Sequence, residues 1–189
     1  MKRKLINWAK PIVKRLLGME NLNALEALKR KGLKVGTNFN IQEGCIIDGS
    51  HSYHIEIGNN VTLAPNVHIL AHDASTWNFL EYTKIKNVKI GNRVFIGASS
   101  IIMPGVTIGN DVIIGAGSIV TKDIPNNCLY AGNPAKFMMH TDVYIAKEKK
   151  KMTAENTFEE EFSEAKDVSM ENKELLKQMA AKHGTAYLK

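Results

Sequence analysis

Residues 90–125 read IGNRVFIGASSIIMPGVTIGNDVIIGAGSIVTKDIP, one pattern written six times without a break. Ile90, Ile96, Ile102, Ile108, Ile114 and Val120 stand six residues apart, and glycine follows four of them. Four residues on from each come Val94, Ser100, Val106, Val112, Ser118 and Ile124. A fixed short period marks a repeat architecture. Neither the helical period nor the two-residue strand alternation yields a strict six. A coiled ribbon does: each hexad makes a short flat strand and a turn, and three hexads close a triangular coil. The aliphatic residue at the first step and the small or β-branched residue at the fifth point inward. Pairs such as Gly109-Asn110 are expected to relax the backbone at the corners. The predicted fold class is an all-β core, a parallel β-helix.

The same run, followed by AGNPAK at 131–136, resembles the hexapeptide-repeat acyltransferases, in particular the bacterial saccharide O-acetyltransferases. The resemblance covers residues 33–140. It implies left-handed coiling, against the right-handed preference of ordinary crossovers. Upstream, Val35, Ile41 and Ile47 keep the six-residue step, with Phe39 and Cys45 at the second inward position. The register slips across Ser50–His54, resumes at Ile57, Leu63 and Ile69 with Val61 and Val67 inward, and breaks again until Ile90. About four triangular coils are expected in all. Solenoids admit insertions where they bulge outward from a corner. The interruption at 72–87 is therefore expected as an outward loop, and loops on a rigid scaffold are where chemistry concentrates.

The whole chain has 189 residues and a formal charge of +6. Its Lys and Arg gather in the first 34 residues and at Lys147–Lys151. With no aromatic-basic platform in the repeats, a nucleic-acid partner is not expected. Two cysteines, Cys45 and Cys128, give no disulfide framework. Cys45 is expected as a buried free thiol, which fits a reducing cytoplasm. No apolar run reaches the roughly 18 residues that span a bilayer, and no signal-peptide pattern opens the chain.

Three segments are expected: N-terminal amphipathic helices at 1–32, the β-helix at 33–140, and a charged helical extension at 141–189. In residues 2–17, Leu5, Trp8, Ile12 and Leu16 form an apolar stripe between basic residues. That stripe suits packing against protein, and also peripheral contact with an anionic membrane surface. A short helix at 20–31 should stop at Gly32. A further helix should run from Ser169, its cap, to about His183, with Gly184 ending it.

Acyl transfer to an alcohol needs a base beside the hydroxyl, and imidazole titrates near working pH. The resemblance places a histidine base in the extended loop, where His72 is the matching position. Its surroundings, AHDAS, are similar to the HDxS-type polysaccharide acetyltransferases. Asp73, Ser75 and Trp77 are candidates to line the acceptor pocket, Trp77 as a flat face for a sugar ring. The group that orients His72 stays open, a backbone carbonyl or a carboxylate. His51, His54, His68, His140 and His183 are expected as structural or surface residues. No metal is expected, because His51, His54 and His72 show no carboxylate-backed zinc spacing.

On the donor side the resemblance implies an acetyl-CoA groove between subunits of a homotrimer. Ala98 and Ala116, each after a glycine, match positions that offer main-chain groups to the pantetheine arm. Thr121, Lys122 and Lys136 match positions at the nucleotide end, where cations suit phosphates. Lys136 stands where many relatives have Arg, and Met139 where some carry another basic residue. The expected activity is thus acetyl-CoA-dependent O-acetylation of a saccharide, a surface-polysaccharide precursor being one candidate. Two alternatives remain open at this stage. One is transfer to an amino sugar, amino acid or antibiotic; the other is a non-catalytic or metal-binding β-helix scaffold.

Overall fold

The computed structural model describes residues 19–162 and 168–189. The basic stripe of residues 2–17, with its candidate membrane contact, lies outside them. The chain divides into two compact units at Thr141.

The first unit opens with α1 (Met19–Arg30), whose Leu25 is buried in the core while Leu28 packs against it. Lys29 and Arg30 occupy its last turn, where cations suit the negative end of the helix dipole. Gly32 then takes a φ of +105°, a left-handed stop that glycine allows.

The chain next lays down short strands in successive rounds. These are β1 (Lys34–Val35), β2 (Asn40–Ile41) and β3 (Ile46–Ile47), then β4 (Ile55–Ile57), β5 (Val61–Leu63) and β6 (His68–Ile69). After an excursion holding β7 (His72–Asp73), α2 (Trp77–Leu80) and β8 (Lys84–Ile85), the rounds resume. They continue as β9 (Val88–Ile90), β10 (Val94–Ile96) and β11 (Ile101–Ile102), then β12 (Thr107–Ile108), β13 (Ile113–Ile114) and β14 (Ile119–Val120). The unit closes with β15 (Cys128–Ala131) and β16 (Lys136–His140), an antiparallel pair.

Three sheets result. The first is β1-β4-β9-β12, the second β16-β15-β13-β10-β5-β2, and the third β14-β11-β6-β3. Every pairing but the last is parallel and in register with the hexad, as in Val35 with Ile57 and Ile102 with Val120. Both inward ladders are buried: Ile96, Ile102 and Ile114 expose no surface, nor do Ser100, Val112 and Ser118. Burying one such isoleucine stabilises the fold by about 1.5–3 kcal/mol. The two inward serines are satisfied by one acceptor, since both hydroxyls donate to the Gly115 carbonyl at 3.0 and 2.6 Å.

The expected reason for the repeat glycines is corrected here. Gly91 and Gly109 do not adopt left-handed angles; the residues two positions on, Arg93 and Asp111, do, at φ +53° and +59°. Glycine is needed for close approach instead, because a Cβ on Gly91 would lie 2.6 Å from the Gly109 carbonyl oxygen. The asparagines beside them form a ladder. The side-chain oxygen of Asn110 accepts from the Asn92 backbone N–H at 2.7 Å, and that of Asn92 accepts from Asn59 N–H at 2.8 Å. Cys45 is also corrected: it is only half-buried, and Cys128 is the buried thiol.

These ladders measure the rounds. Partners in the regular region stand 18 residues apart. The Ser50–His54 insertion stretches an earlier round to 22, and the excursion after Ile69 stretches the next to 33. Both insertions leave the coil at the corner between the third and first sheets.

In the second unit, α3 (Thr141–Lys151) leads to a parallel pair of β17 (Thr157–Phe158) and β18 (Tyr187–Leu188), with α4 (Met170–His183) between them in sequence. Buried Asn156 organises it, accepting from Thr153 N–H at 2.7 Å and donating to the Lys151 carbonyl at 2.9 Å. Ser169 caps α4 through Asn172 N–H, and Gly184 ends it at φ +75°. No helix among the described residues is long and apolar enough to cross a membrane.

Candidate active site

The excursion starts where β6 ends. Ala71 is still buried in the coil, and its carbonyl accepts from Lys86 N–H at 2.9 Å, closing the loop at its neck. Beyond the neck, β7 pairs with β8, setting His72 opposite Ile85 and Asp73 opposite Lys84. The backbone of His72 is thereby anchored, while its side chain remains 36% exposed.

Directly beneath it on the previous round lies Asp48, the residue after inward Ile47. Its side chain is only 1% exposed. One carboxylate oxygen, Oδ1, accepts from the backbone N–H groups of Ser50 at 3.1 Å and His51 at 3.0 Å. The other, Oδ2, accepts from Ala71 N–H at 3.0 Å and meets His72 Nδ1 at 2.5 Å. Burial works to raise the Asp48 pKa, but the His72 bond and the Ala71 and His51 N–H groups outweigh it and hold the carboxyl below its ordinary value. An ionised Asp48 only accepts, so His72 Nδ1 must carry the proton. Nε2 is then left as the basic nitrogen, on the exposed side of the ring. Of the two kinds of partner the sequence left open for His72, the carboxylate of Asp48 is the one that meets its Nδ1.

The two insertions meet at this corner. The His51 ring lies 4.9 Å from that of His72, and His54 Nδ1 reaches Asn87 Oδ1 at 2.6 Å, tying the short insertion to the end of the long one. One nitrogen of His51, one of His72 and a carboxylate oxygen of Asp48 lie within 4.8 Å of one another. The histidine set judged from the sequence alone therefore changes: Asp48 supplies the carboxylate, and His54 belongs to Asn87.

The remaining candidates separate by corner. Asp73 accepts from Lys84 Nζ at 2.6 Å and from Ser75 N–H at 2.8 Å; the lysine hydrogen bond is the chief cause that holds its carboxyl well below the usual range. Asp73 also shares a cleft of about 210 Å³ with Lys84, Lys86, Met103, Pro104 and Thr121. Thr121 and Lys122 thus follow β14 at the same corner as His72. Trp77 lies on α2 and is exposed, together with Phe79, Leu80 and Tyr82. Ser75 is committed to an Asx turn with Asp73.

Ala98 and Ala116 stand elsewhere, on neighbouring rounds at the corner between the second and third sheets. The Ala98 carbonyl accepts from Gly117 N–H at 2.8 Å. A Cβ on Gly97 would lie 2.5 Å from Ala116 N, so the small residues there keep the backbone bare. Lys136 is exposed on β16 beside Ala131. One chain therefore groups His72, Asp73, Thr121 and Lys122, and sets Ala98 and Ala116 on a different corner.

Comparison with known proteins agrees with this coil. Residues 87–122 match the family described as bacterial transferase hexapeptide (six repeats). Over about half its length this chain is similar to hexapeptide-repeat acetyltransferases. The protein CapG of Staphylococcus aureus is 54% identical over 103 residues, covering 52% of this chain and 60% of that one. Among solved structures, a maltose O-acetyltransferase from Clostridium difficile 630 superposes with a TM-score of 0.51 at 44% identity, over 58% of this chain and 59% of that one. A hexapeptide-repeat acetyltransferase of Vibrio cholerae O1 biovar eltor, complexed with acetyl coenzyme A, gives a TM-score of 0.51 at 26% identity, over 59% and 61%. These hexapeptide neighbours imply left-handed winding of the coil. The chain spans about half the length of the curated relatives it matches.

Proposed function

We propose that this chain is an acetyl-CoA-dependent O-acetyltransferase acting on a saccharide hydroxyl. Its scaffold is read as a left-handed parallel β-helix of about four triangular coils. The observation that carries the reading is the Asp48–His72 pair, a buried carboxylate holding an exposed imidazole in the tautomer a base needs. The likeness to a maltose O-acetyltransferase supports the saccharide class, and the complexed Vibrio relative supports acetyl-CoA as donor.

In this mechanism Nε2 of His72 takes the proton from the acceptor hydroxyl as its oxygen attacks the thioester carbon. The resulting imidazolium is stabilised by Asp48, which remains ionised. A backbone N–H near Gly97–Ala98 holds the developing oxyanion, and collapse of the adduct expels the CoA thiolate, which takes the proton from His72. Thr121, Lys122 and Lys136 serve the nucleotide end of the donor. Asp73, Ser75 and Trp77 form the acceptor side, with Asp73 and Lys84 offering a paired acceptor and donor to sugar hydroxyls.

The separation of corners favours a homotrimer. His72 stands at the third-to-first corner and Ala98 with Ala116 at the second-to-third, so two copies side by side bring the base of one to the small-residue column of the other.

The test is His72→Ala, assayed by release of free thiol from acetyl-CoA with a panel of saccharide acceptors. The expected loss is at least about a hundredfold in kcat, the usual worth of a general base. Acetyl-CoA binding should be unchanged. Near-normal turnover in the variant defeats the assignment.

A further inference from the structure

We propose that Asp48, His51 and His72 also form a binding site for a borderline divalent cation such as Zn²⁺, whose occupancy switches the His72 base off. The switching half of this proposal rests on the acetyltransferase reading; the binding half does not. His51 is the residue that the transfer mechanism leaves without a task. Its ring is held against His72 at the mouth of the site, and its side chain is 25% exposed. Nδ1 itself is buried without a hydrogen-bond partner among the described residues, and lies 3.8 Å from Asp48 Oδ1. A buried nitrogen without a partner is uncommon and calls for a physical reason. Here it faces a carboxylate that is already ionised, beside a second imidazole.

Two imidazoles and one carboxylate are a donor set suited to Zn²⁺ or Co²⁺, and poorly suited to Mg²⁺ or Ca²⁺, which prefer oxygen ligands. Zinc holds nitrogen and oxygen ligands at about 2.0–2.2 Å, so ligands on one tetrahedral ion stand roughly 3.4 Å apart. The three side chains already have ligand atoms within 4.8 Å of one another. Holding an ion there requires the His72 Nδ1–Asp48 Oδ2 contact of 2.5 Å to widen and His51 Nδ1, now 3.8 Å from Asp48 Oδ1, to draw in slightly. Asp48 stays fixed by the N–H groups of Ser50, His51 and Ala71, and its Oδ2 lone pair now directed at His72 passes to the ion.

The cation and the base compete for one atom. Zinc on His72 Nδ1 requires the ring's single proton, which faces Asp48 in the empty site, to leave that nitrogen and return through solvent on Nε2. The neutral ring then carries its one proton on Nε2, the nitrogen that must be bare to accept the hydroxyl proton. Occupancy therefore removes the base while leaving the donor groove untouched.

The full-length protein is titrated with Zn²⁺ by calorimetry and with Co²⁺ by visible absorption, alongside His51→Ala and His54→Ala. The expected result is one ion per chain, with His54→Ala behaving as wild type. Loss of outer-shell partners alone costs about 10–100-fold in metal affinity, so loss of the His51 ligand should cost at least about a hundredfold. His51→Ala keeps its backbone bond to Asp48 and should keep acetyl transfer while losing inhibition by Zn²⁺. No zinc binding by the wild type, or equal binding by His51→Ala, overturns the site. Zinc binding that depends on His51, with no acetyl transfer to any acceptor, leaves the site standing and removes the acetyltransferase reading instead.

Discussion

Asp48→Asn isolates the positioning of His72 from every other feature of the site. The two side chains have nearly the same volume, so the coil around position 48 need not repack. In the wild type, four hydrogen atoms point at the carboxylate: backbone N–H groups of Ser50, His51 and Ala71, and Nδ1–H of His72. The carboxamide of Asn can accept on one atom only. If its oxygen keeps Ser50 and His51, its NH₂ faces the Ala71 N–H and obliges His72 Nδ1 to accept. His72 must then carry its proton on Nε2, and the base is lost. Trapping a catalytic histidine in the wrong tautomer by the same Asp-to-Asn change costs about 10⁴ in kcat in a serine protease. Asp48 is buried and makes the orienting contact alone, so a loss of about 10³–10⁴ is expected here. That corresponds to about 4–5.5 kcal/mol of transition-state stabilisation.

The assay measures kcat and KM by thiol release, together with acetyl-CoA binding by calorimetry. The loss should fall on kcat, with donor affinity retained. A purely structural role predicts joint decline of binding and folding. A folded Asp48→Asn protein with kcat within about fivefold of wild type would refute the tautomer argument.

Three further expectations follow from the same geometry. Wild type should outdo Asp48→Asn in stability at neutral pH. Because the folded-state pKa of Asp48 is depressed, that advantage is present above its ordinary value of 3.8 and fades as pH falls through the lower folded value; acid-unfolding curves of the two proteins should converge there. Gly91→Ala places a methyl 2.6 Å from the Gly109 carbonyl oxygen and 2.7 Å from Asn110 Oδ1, so it should destabilise by about 1–3 kcal/mol in denaturant unfolding. Lys122→Ala and Lys136→Ala should each raise KM for acetyl-CoA by about tenfold, the lower end for a charge-assisted contact, with kcat held. The effect should shrink with added salt, and a salt-independent KM would count against phosphate recognition.

The coil was legible because its information is local and repeated. Ile90 through Val120 at the first step and Val94 through Ile124 at the fifth are buried as their spacing required. The loop at 72–87 was legible for the same reason, as the place where the period stops. Corner chemistry was less so. Gly-Asn pairs such as Gly109-Asn110 were expected to relax the backbone at the corners, yet the left-handed angles fall on Arg93 and Asp111. Close approach between rounds, which spacing alone does not express, is what excludes a side chain at the glycines.

Asp48 shows the limit most clearly. Its own turn could be read locally, since Asp-Gly-Ser-His places two backbone N–H groups within reach of one carboxylate oxygen. Its role toward His72 could not. The two residues are 24 apart, two more than the round of 22 made by the first insertion and unlike the regular round of 18. They meet because one insertion lengthens a round and the next departs from the same corner, so the vertical stacking of the coil, not the sequence interval, sets their distance. The sequence by itself determined the ladder, its inward residues and the loop that bears the histidine, because a six-residue period acts through neighbours along the chain. Only the tertiary structure decided which carboxylate holds that histidine, that His51 lies beside it, and that Ala98 and Ala116 sit at another corner, because each of those relations runs across rounds whose lengths differ.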